Sequence, residues 1–161
     1  MGQEKKKQLG VLGLIVALVV VLFSSVLFMG LVGWFGEAKI TLDQEYRGES
    51  TELMDLSVSE YDELIKAKKS FVIFVDQGGC TTADRLRGYV QDWATANEIK
   101  VYRMMFKDVK ESSLHEYIKY YPSVVLIDKG KVRVYLRADS VDDAKMYNDY
   151  GEFEAWIKRW V

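Results

Sequence analysis

The stretch FVIFVDQGGCTTADRL, residues 71–86, decides the fold. It begins with FVIFV, an apolar run rich in β-branched and aromatic side chains, which is typical of a short strand buried on both faces. After it, apolar residues recur at helical spacing, at Leu86, Tyr89, Val90 and Trp93. Between the two lies Cys80, the only cysteine of the chain. The stretch therefore predicts a strand, a loop that carries a thiol, and a helix.

The flanking sequence continues this alternation of strands and helices. Ser57 and Glu60 match a capping box, so we expect a helix to begin directly after Ser57. Further along, the sequence predicts a strand at 101–106, a helix opened by Asp108, strands at 123–127 and 132–136, and a final helix. The last two strands flank DKGK, residues 128–131, which is a hairpin signal. With a short strand at residues 39–42, the order is β-α-β-α-β-α-β-β-α.

Two of these elements have patterns that predict which side chains face the core. The helix opened by Asp108 is expected to run far enough to bury one stripe, namely Leu114, Tyr117, Ile118 and Tyr121. The last strand alternates, so it is expected to place three apolar residues on one side, namely Val132, Val134 and Leu136.

Cys80 in the segment GCTTA at residues 79–83, the strand FVIFV at residues 71–75, and Tyr121-Pro122 form a combination that resembles the thioredoxin family. GCTTA, residues 79–83, stands where that family carries Cys-x-x-Cys, and FVIFV matches its central strand. Tyr121 and Pro122 match its cis-proline segment, and Pro122, the only proline, follows Cys80 by 42 residues. The resemblance covers residues 53–161 and implies an α/β fold with a mixed sheet flanked by helices. The most similar branch is that of the thioredoxin-like accessory proteins of Gram-positive bacteria, including bacteriocin transport accessory proteins.

The resemblance also predicts a site. Cys80 is the candidate nucleophile, because the amides and the dipole at the start of a helix favour a thiolate. A cis-proline loop beside it leaves a strand edge on which an extended peptide can bind. The candidate peptide-binding residues are Tyr121, Pro122, Gly79 and Thr81.

Two departures from the family leave the activity open. Ala83 occupies the position of the second cysteine, so a mixed disulfide at Cys80 cannot be resolved internally. Phe74 stands where many thioredoxins bury an aspartate that assists proton transfer. A full dithiol cycle is therefore excluded. Two functions remain: a noncatalytic interaction module in which Cys80 is a relic, and a monothiol redox protein that uses Cys80 with an external thiol.

The N-terminal part predicts a membrane anchor. Residues 11–35 form an uncharged apolar stretch, longer than the about 20 residues that a transmembrane helix needs. A cleaved signal peptide is the alternative, but its apolar region is usually only about 7 to 15 residues long. Lysines at positions 5–7 predict a cytoplasmic N-terminus at 1–10 and an extracytoplasmic C-terminal side. A juxtamembrane stalk is expected at 36–52, before the thioredoxin-like domain at 53–161.

Composition restricts the partners. The net charge of −2 and the absence of a basic footprint argue against nucleic acid. No cluster of ligands in the sequence suggests a metal, and no cofactor is indicated. His115 is interpreted as a surface residue rather than a base. The link at 138–150 carries Met146, Tyr147 and Tyr150, and is either decoration or a partner surface.

These observations together predict a single-pass protein of a bacterial cell membrane. Its partners are expected to be membrane lipid, through the N-terminal helix, and an extracytoplasmic protein or peptide. We expect an accessory role in secretion or envelope assembly, with monothiol redox chemistry as the alternative.

Overall fold

The computed structural model describes residues 39–48 and 53–161. The predicted N-terminus at 1–10, the predicted transmembrane helix at 11–35 and parts of the predicted stalk lie outside these residues. Within the two described ranges, no helix combines the length and the apolar character that crossing a bilayer requires.

The described residues form five strands and four α-helices, which follow the predicted order. The strands are β1 (Met54–Asp55), β2 (Phe71–Asp76), β3 (Tyr102–Met105), β4 (Ser123–Asp128) and β5 (Lys131–Tyr135). The helices are α1 (Val58–Lys66), α2 (Thr81–Ala96), α3 (Phe106–Val109) and α4 (Tyr150–Trp160). Short 3₁₀ helices lie at Gln44–Tyr46, Ser113–Glu116 and Ala144–Tyr147.

The strands form one mixed sheet in the order β1-β3-β2-β4-β5. β2 pairs in parallel with β3 and antiparallel with β4, so it lies at the centre. Every residue of β2 is buried, as the sequence predicted from its continuous apolar run. One face packs against α2 and α4, and the other packs against α1 and the segment after β3.

Two local signals in the sequence are confirmed. The Ser57 hydroxyl accepts from the Glu60 amide at 3.3 Å, and the Glu60 carboxylate accepts from the Ser57 amide at 2.9 Å, which completes the capping box. Lys129 and Gly130 connect β4 to β5 with φ of 50° and 74°, as a two-residue hairpin turn requires.

The first strand lies at a different place from the one predicted. Residues 39–42 form no strand, and β1 at Met54–Asp55 pairs with β3 instead. Ile40 and Leu42 are nonetheless buried, and the Ile40 amide donates to the carbonyl of Trp160 at 2.6 Å. The compact unit therefore extends to Lys39, further toward the N-terminus than residue 53.

The helix expected from Asp108 onward is also different. α3 begins before that residue and ends at Val109, and a 3₁₀ turn follows at Ser113–Glu116. The Ser112 hydroxyl donates to the Val109 carbonyl at 3.0 Å, and this bond satisfies the end of α3 locally. Leu114 and Ile118 still reach the core, but Tyr117 is 43% exposed.

The last strand does not keep its predicted alternation. Its pairing with β4 shifts register between Leu126 and Ile127. Val134 and Leu136 therefore pack on the α2 and α4 side of the sheet, whereas Val132 packs on the opposite side.

Candidate functional site

Cys80 lies where the central strand passes into α2. It is the N-cap residue of that helix, its carbonyl accepts from the Asp84 amide at 2.9 Å, and its side chain is partly exposed. The preceding Gly79 has φ of 76°, a left-handed conformation that favours glycine. The loop thus presents the thiol at the carboxyl end of β2.

The proline loop lies beside the thiol. The bond between Tyr121 and Pro122 is cis, which confirms the expectation from the sequence. No hydrogen bond joins the amide or carbonyl of Tyr121 to another residue in the ranges that the structure describes. These two backbone groups are therefore available to an extended peptide.

The connection between β5 and α4, residues 136–149, forms the remaining wall. The Tyr147 hydroxyl donates to the Pro122 carbonyl at 3.0 Å, and Arg85 on α2 donates to the Asn148 side chain at 2.6 Å. These bonds fix the connection to the proline loop and to α2. Burial raises the pKa of Tyr147 above its ordinary value, so its hydroxyl still donates this bond at alkaline pH values at which an exposed tyrosine ionises.

These elements enclose an open pocket of about 290 Å³. Its lining consists of Cys80, Thr82, Tyr121, Pro122, Ala138, Ala144, Tyr147 and Asn148. Burial raises the pKa of Tyr121. The pocket therefore offers one thiol, two tyrosine side chains, one threonine hydroxyl and one side-chain amide, and no Lys, Arg, Asp or Glu lines it.

The structure brings together some of the predicted site residues. Cys80, Tyr121 and Pro122 share the pocket, whereas Gly79 and Thr81 are exposed next to it and do not line it. His115 is exposed on a 3₁₀ turn, outside this lining.

Sequence reasoning missed the contribution of the β5–α4 connection, although it identified that segment as a candidate partner surface. Met146 and Tyr147 are buried there, so they belong to the core and to the pocket wall. In the sequence, the only signal was an aromatic residue, Tyr147, in a polar loop, and this signal does not reveal that Tyr147 contacts Pro122.

A buried ion pair next to the loop was also missed. Asp76, the last residue of β2, is 2% exposed, and Arg87 on α2 donates to its two oxygens at 2.9 and 3.1 Å. Arg87 also donates to Asp84 at 2.9 Å. The hydrogen bond to Asp76 raises the pKa of Arg87. This pair joins the end of the strand to the helix, on either side of the Cys80 loop.

In the part of the chain that the structure describes, neither a metal-binding cluster nor a second thiol accompanies Cys80. Within the described ranges, no three Cys, His, Asp or Glu side chains are arranged to hold a metal ion. Ala83, to which the resemblance assigns the position of the second thioredoxin cysteine, is fully buried and has no reactive group. The arrangement can bind an extended peptide and present one sulfur to it.

Comparison with solved structures identifies the fold. A thioredoxin mutant from Halobacterium salinarum NRC-1 superposes with a TM-score of 0.54 at 12% identity, over 70% of this chain and 94% of that chain. Reduced Schistosoma mansoni thioredoxin pre-protein gives 0.52 at 14% identity, over 68% and 99%. Oxidised mitochondrial thioredoxin 3 from Saccharomyces cerevisiae gives 0.50 at 16% identity, over 66% and 93%.

The chain therefore has a thioredoxin-like α/β fold, with a mixed sheet and flanking helices. No protein-family model matches the chain, and no curated protein matches it. At these identities the likeness extends to the fold alone.

Proposed function

We propose that this protein is a membrane-anchored, extracytoplasmic interaction module that binds an extended segment of another protein in the pocket beside Cys80. The unpaired amide and carbonyl of Tyr121, at the rim of that pocket, carry the proposal. A peptide that adds to them gains main-chain hydrogen bonds, and the pocket accepts one of its side chains.

The chemistry of the pocket favours binding over turnover. It contains one thiol, no second thiol and no ionisable acid or base among its lining residues other than tyrosine and Cys80 itself. The apolar stretch at 11–35 would anchor the module, with its domain outside the cytoplasmic membrane. An accessory role in secretion or envelope assembly, as in the Gram-positive accessory proteins that the sequence resembles, agrees with such a module.

Monothiol exchange is the second candidate, because Cys80 is partly exposed and lines the same pocket. Its thiolate would attack one sulfur of a partner disulfide and form a mixed disulfide. The partner's other sulfur would leave as a thiolate. An external thiolate would then attack the mixed disulfide and release Cys80, since Ala83 cannot do so.

Photocrosslinking in intact cells tests the module. A photoreactive amino acid replaces Thr82, which lines the pocket, or Lys107, which is exposed on α3 and serves as the matched control. We expect a discrete adduct from position 82 and none from position 107. Equal adducts from both positions would contradict a binding pocket.

Repeating the experiment with Cys80→Ser separates the two functions. An interaction module keeps the position 82 adduct, because its main-chain hydrogen bonds do not need the thiol. A monothiol protein loses it, and in the unsubstituted chain a disulfide-linked partner should be released by reductant.

A further inference from the structure

Charge is strongly polarised over this fold, which the interspersed Lys and Arg residues of the sequence did not indicate. Four segments, residues 39–45, 66–70, 128–133 and 158–161, carry nine Lys or Arg residues and three Asp or Glu residues. The remaining described residues carry ten Lys or Arg and seventeen Asp or Glu. The nine cations are called the basic end, and they are Lys39, Lys66, Lys68, Lys69, Lys129, Lys131, Arg133, Lys158 and Arg159.

Hydrogen bonds bring the first three segments together. The Gly130 amide in the β4–β5 turn donates to the Lys69 carbonyl at 2.9 Å, and the Lys129 amide donates to the Ser70 hydroxyl at 2.9 Å. The Asp43 amide donates to the Ser70 carbonyl at 3.2 Å. The end of α1, the hairpin turn and the first described segment therefore meet beside the start of β2.

The end of α4 joins the same cluster. The Lys39 ammonium donates to the Lys158 carbonyl at 2.9 Å, and the Arg133 guanidinium lies 5.8 Å from the centre of the Trp160 ring. Among salt bridges between described residues, only two involve the basic end, Lys69 with Glu45 and Lys158 with Glu154. Most of this charge is therefore not neutralised within the fold.

The basic end lies opposite the pocket. Ser70 directly precedes β2, and Cys80 follows the other end of that strand. A six-residue strand spans about 20 Å, so the central strand separates the cationic cluster from the thiol by roughly that distance.

The chain enters the fold at the basic end. The apolar stretch ends at Phe35, and the first described residue is Lys39. Four residues of fully extended chain span at most about 14 Å. If the apolar stretch crosses a bilayer, the basic end is consequently held close to the lipid headgroups.

We propose that the basic end docks on anionic lipid headgroups of the leaflet on the domain's side, and so directs the Cys80 pocket away from the membrane. The inference rests on the membrane anchor of the proposed function. Clustered Lys and Arg next to a span are attracted to anionic lipid, and the attraction decays over a Debye length of about 8 Å at physiological salt. The four residues after Phe35, as far as Lys39, are few enough to let the cations of the basic end approach the headgroups to within that range.

The test uses the full chain in lipid nanodiscs with a nitroxide on a small share of the headgroups. One preparation contains phosphatidylcholine alone, and the other contains about a quarter phosphatidylglycerol. In NMR spectra of the chain, the intensity of each backbone amide signal reports how close that residue lies to the nitroxide label. We expect the signals of residues 66–69 and 129–131 to lose intensity about threefold more strongly in the anionic discs. Signals of residues 80–83 should not change between the two.

Matched charge variants test whether the basic end causes the difference between the two kinds of nanodisc. Lys66→Gln, Lys131→Gln and Arg159→Gln together remove three exposed cations of the basic end, and should abolish most of the difference between the discs. Lys107→Gln, Lys110→Gln and Lys119→Gln remove three exposed cations elsewhere and should preserve it. High salt should reduce the difference in the unsubstituted chain.

Three outcomes would overturn the docking. Equal broadening in both lipids means that the tether alone holds the domain, and stronger broadening at residues 80–83 means that the opposite end faces the membrane. Loss of the chain from vesicles on alkaline carbonate washing refutes the anchor, and the docking with it. The photocrosslink at position 82 is read separately, so failure of the peptide-binding proposal is distinguished from failure of the docking.

Discussion

The carboxylate of Asp76 is buried at the end of the central strand, four residues before Cys80. The Arg87 guanidinium donates one hydrogen bond to each of its two oxygens. Such a carboxylate is tolerated in the interior because its charge is paired and both oxygens accept hydrogen bonds. The pair also fixes the loop that bears the thiol, because its two members lie on the strand and on the helix that the loop connects.

Removing Arg87 alone should therefore lower the free energy of unfolding strongly. Arg87→Met leaves the Asp76 carboxylate buried without its counter-ion, and we expect the free energy of unfolding to fall by about 3 kcal/mol. Denaturant unfolding of the purified chain in detergent measures this. Asp84→Asn is the matched control, because Asp84 is largely exposed and its loss should cost less than about 1 kcal/mol. Equal effects of the two variants would contradict the importance of the buried pair.

The placement of Cys80 can be tested by introducing a second cysteine that could pair with it. Ala83 lies three residues after Cys80, in the first turn of α2, so the two side chains share one face of the helix start. Ala83→Cys should form a disulfide with Cys80 under mild oxidation, detected by mass spectrometry as the loss of two hydrogens. The control is Cys80→Ser in the same background, which should show no such loss.

The activity of that variant carries further information. If the pocket retains what a reductase needs, insulin reduction with a chemical electron donor should become measurable in Ala83→Cys and disappear when Cys80 is also replaced. A disulfide that forms without any reductase activity would favour the interaction module. A chain that stays fully reduced under oxidant would contradict the placement of the two residues.

At the scale of the element, the β4–β5 hairpin depends on its turn. Gly130 has φ of 74°, and a β-carbon there would collide with the Ile65 carbonyl oxygen at the end of α1. Gly88 differs, since it lies inside α2 and a β-carbon would meet no atom within 4 Å. The two glycines therefore form a matched pair for the same substitution.

We expect opposite signs for the two alanine variants. Gly130→Ala should lower the free energy of unfolding by about 2 kcal/mol or more, because strain at positive φ adds to a backbone collision. Gly88→Ala should raise it by about 0.5 to 1 kcal/mol, because alanine restricts the unfolded chain and fits the helix. Denaturant unfolding in detergent distinguishes them, and two changes of the same sign would contradict the described turn.

The elements that sequence predicted well are those whose signals are local. The capping box at Ser57 and the hairpin turn at Gly130 each depend on a few adjacent residues. The position of β1 and the bulge opposite Val132 depend on which strand pairs with which, and no local pattern encodes that pairing.

In the candidate site too, the sequence did not reveal contacts between residues that lie far apart in the chain. The placement of Cys80 beside a cis bond at Pro122 was expected from the resemblance to the thioredoxin family, and the structure has both. The contact of Tyr147 with Pro122 and the pairing of Asp76 with Arg87 join residues 25 and 11 positions apart, and their residue types are common in loops and helices. Only the packed fold identifies such partners.

At the scale of the whole molecule, the central sheet separates two apolar layers. The two faces of β2 belong to different clusters of buried side chains, and each cluster includes tyrosines whose rings are buried, namely Tyr147 in one and Tyr46 and Tyr61 in the other. Burial is the largest cause that raises the pKa of all three hydroxyls above the ordinary value. The interior therefore favours the neutral form of these three tyrosine side chains over the ionised form.

This burial predicts loss of stability at alkaline pH. Below about pH 10 the three phenols are neutral in both the folded and the unfolded chain, and their titration contributes nothing. Above it each phenol ionises in the unfolded chain at a lower pH than in the folded chain, so the free energy of unfolding falls by up to about 1.4 kcal/mol per pH unit for each tyrosine between its two pKa values. Denaturant unfolding between pH 8 and the alkaline limit of the measurement should show this decline.

A single substitution assigns the decline to a residue. Tyr147→Phe removes the hydrogen bond to Pro122 and should cost about 1 kcal/mol near neutral pH, but it also removes one ionisable phenol. The difference between this variant and the unsubstituted chain should therefore shrink as the pH rises above about 10. Tyr120→Phe is the control, because Tyr120 is 58% exposed and its variant should follow the unsubstituted chain at every pH. A constant difference for Tyr147→Phe across the alkaline range would show that its hydroxyl ionises as readily in the folded chain as in the unfolded one, which contradicts its burial against the proline loop.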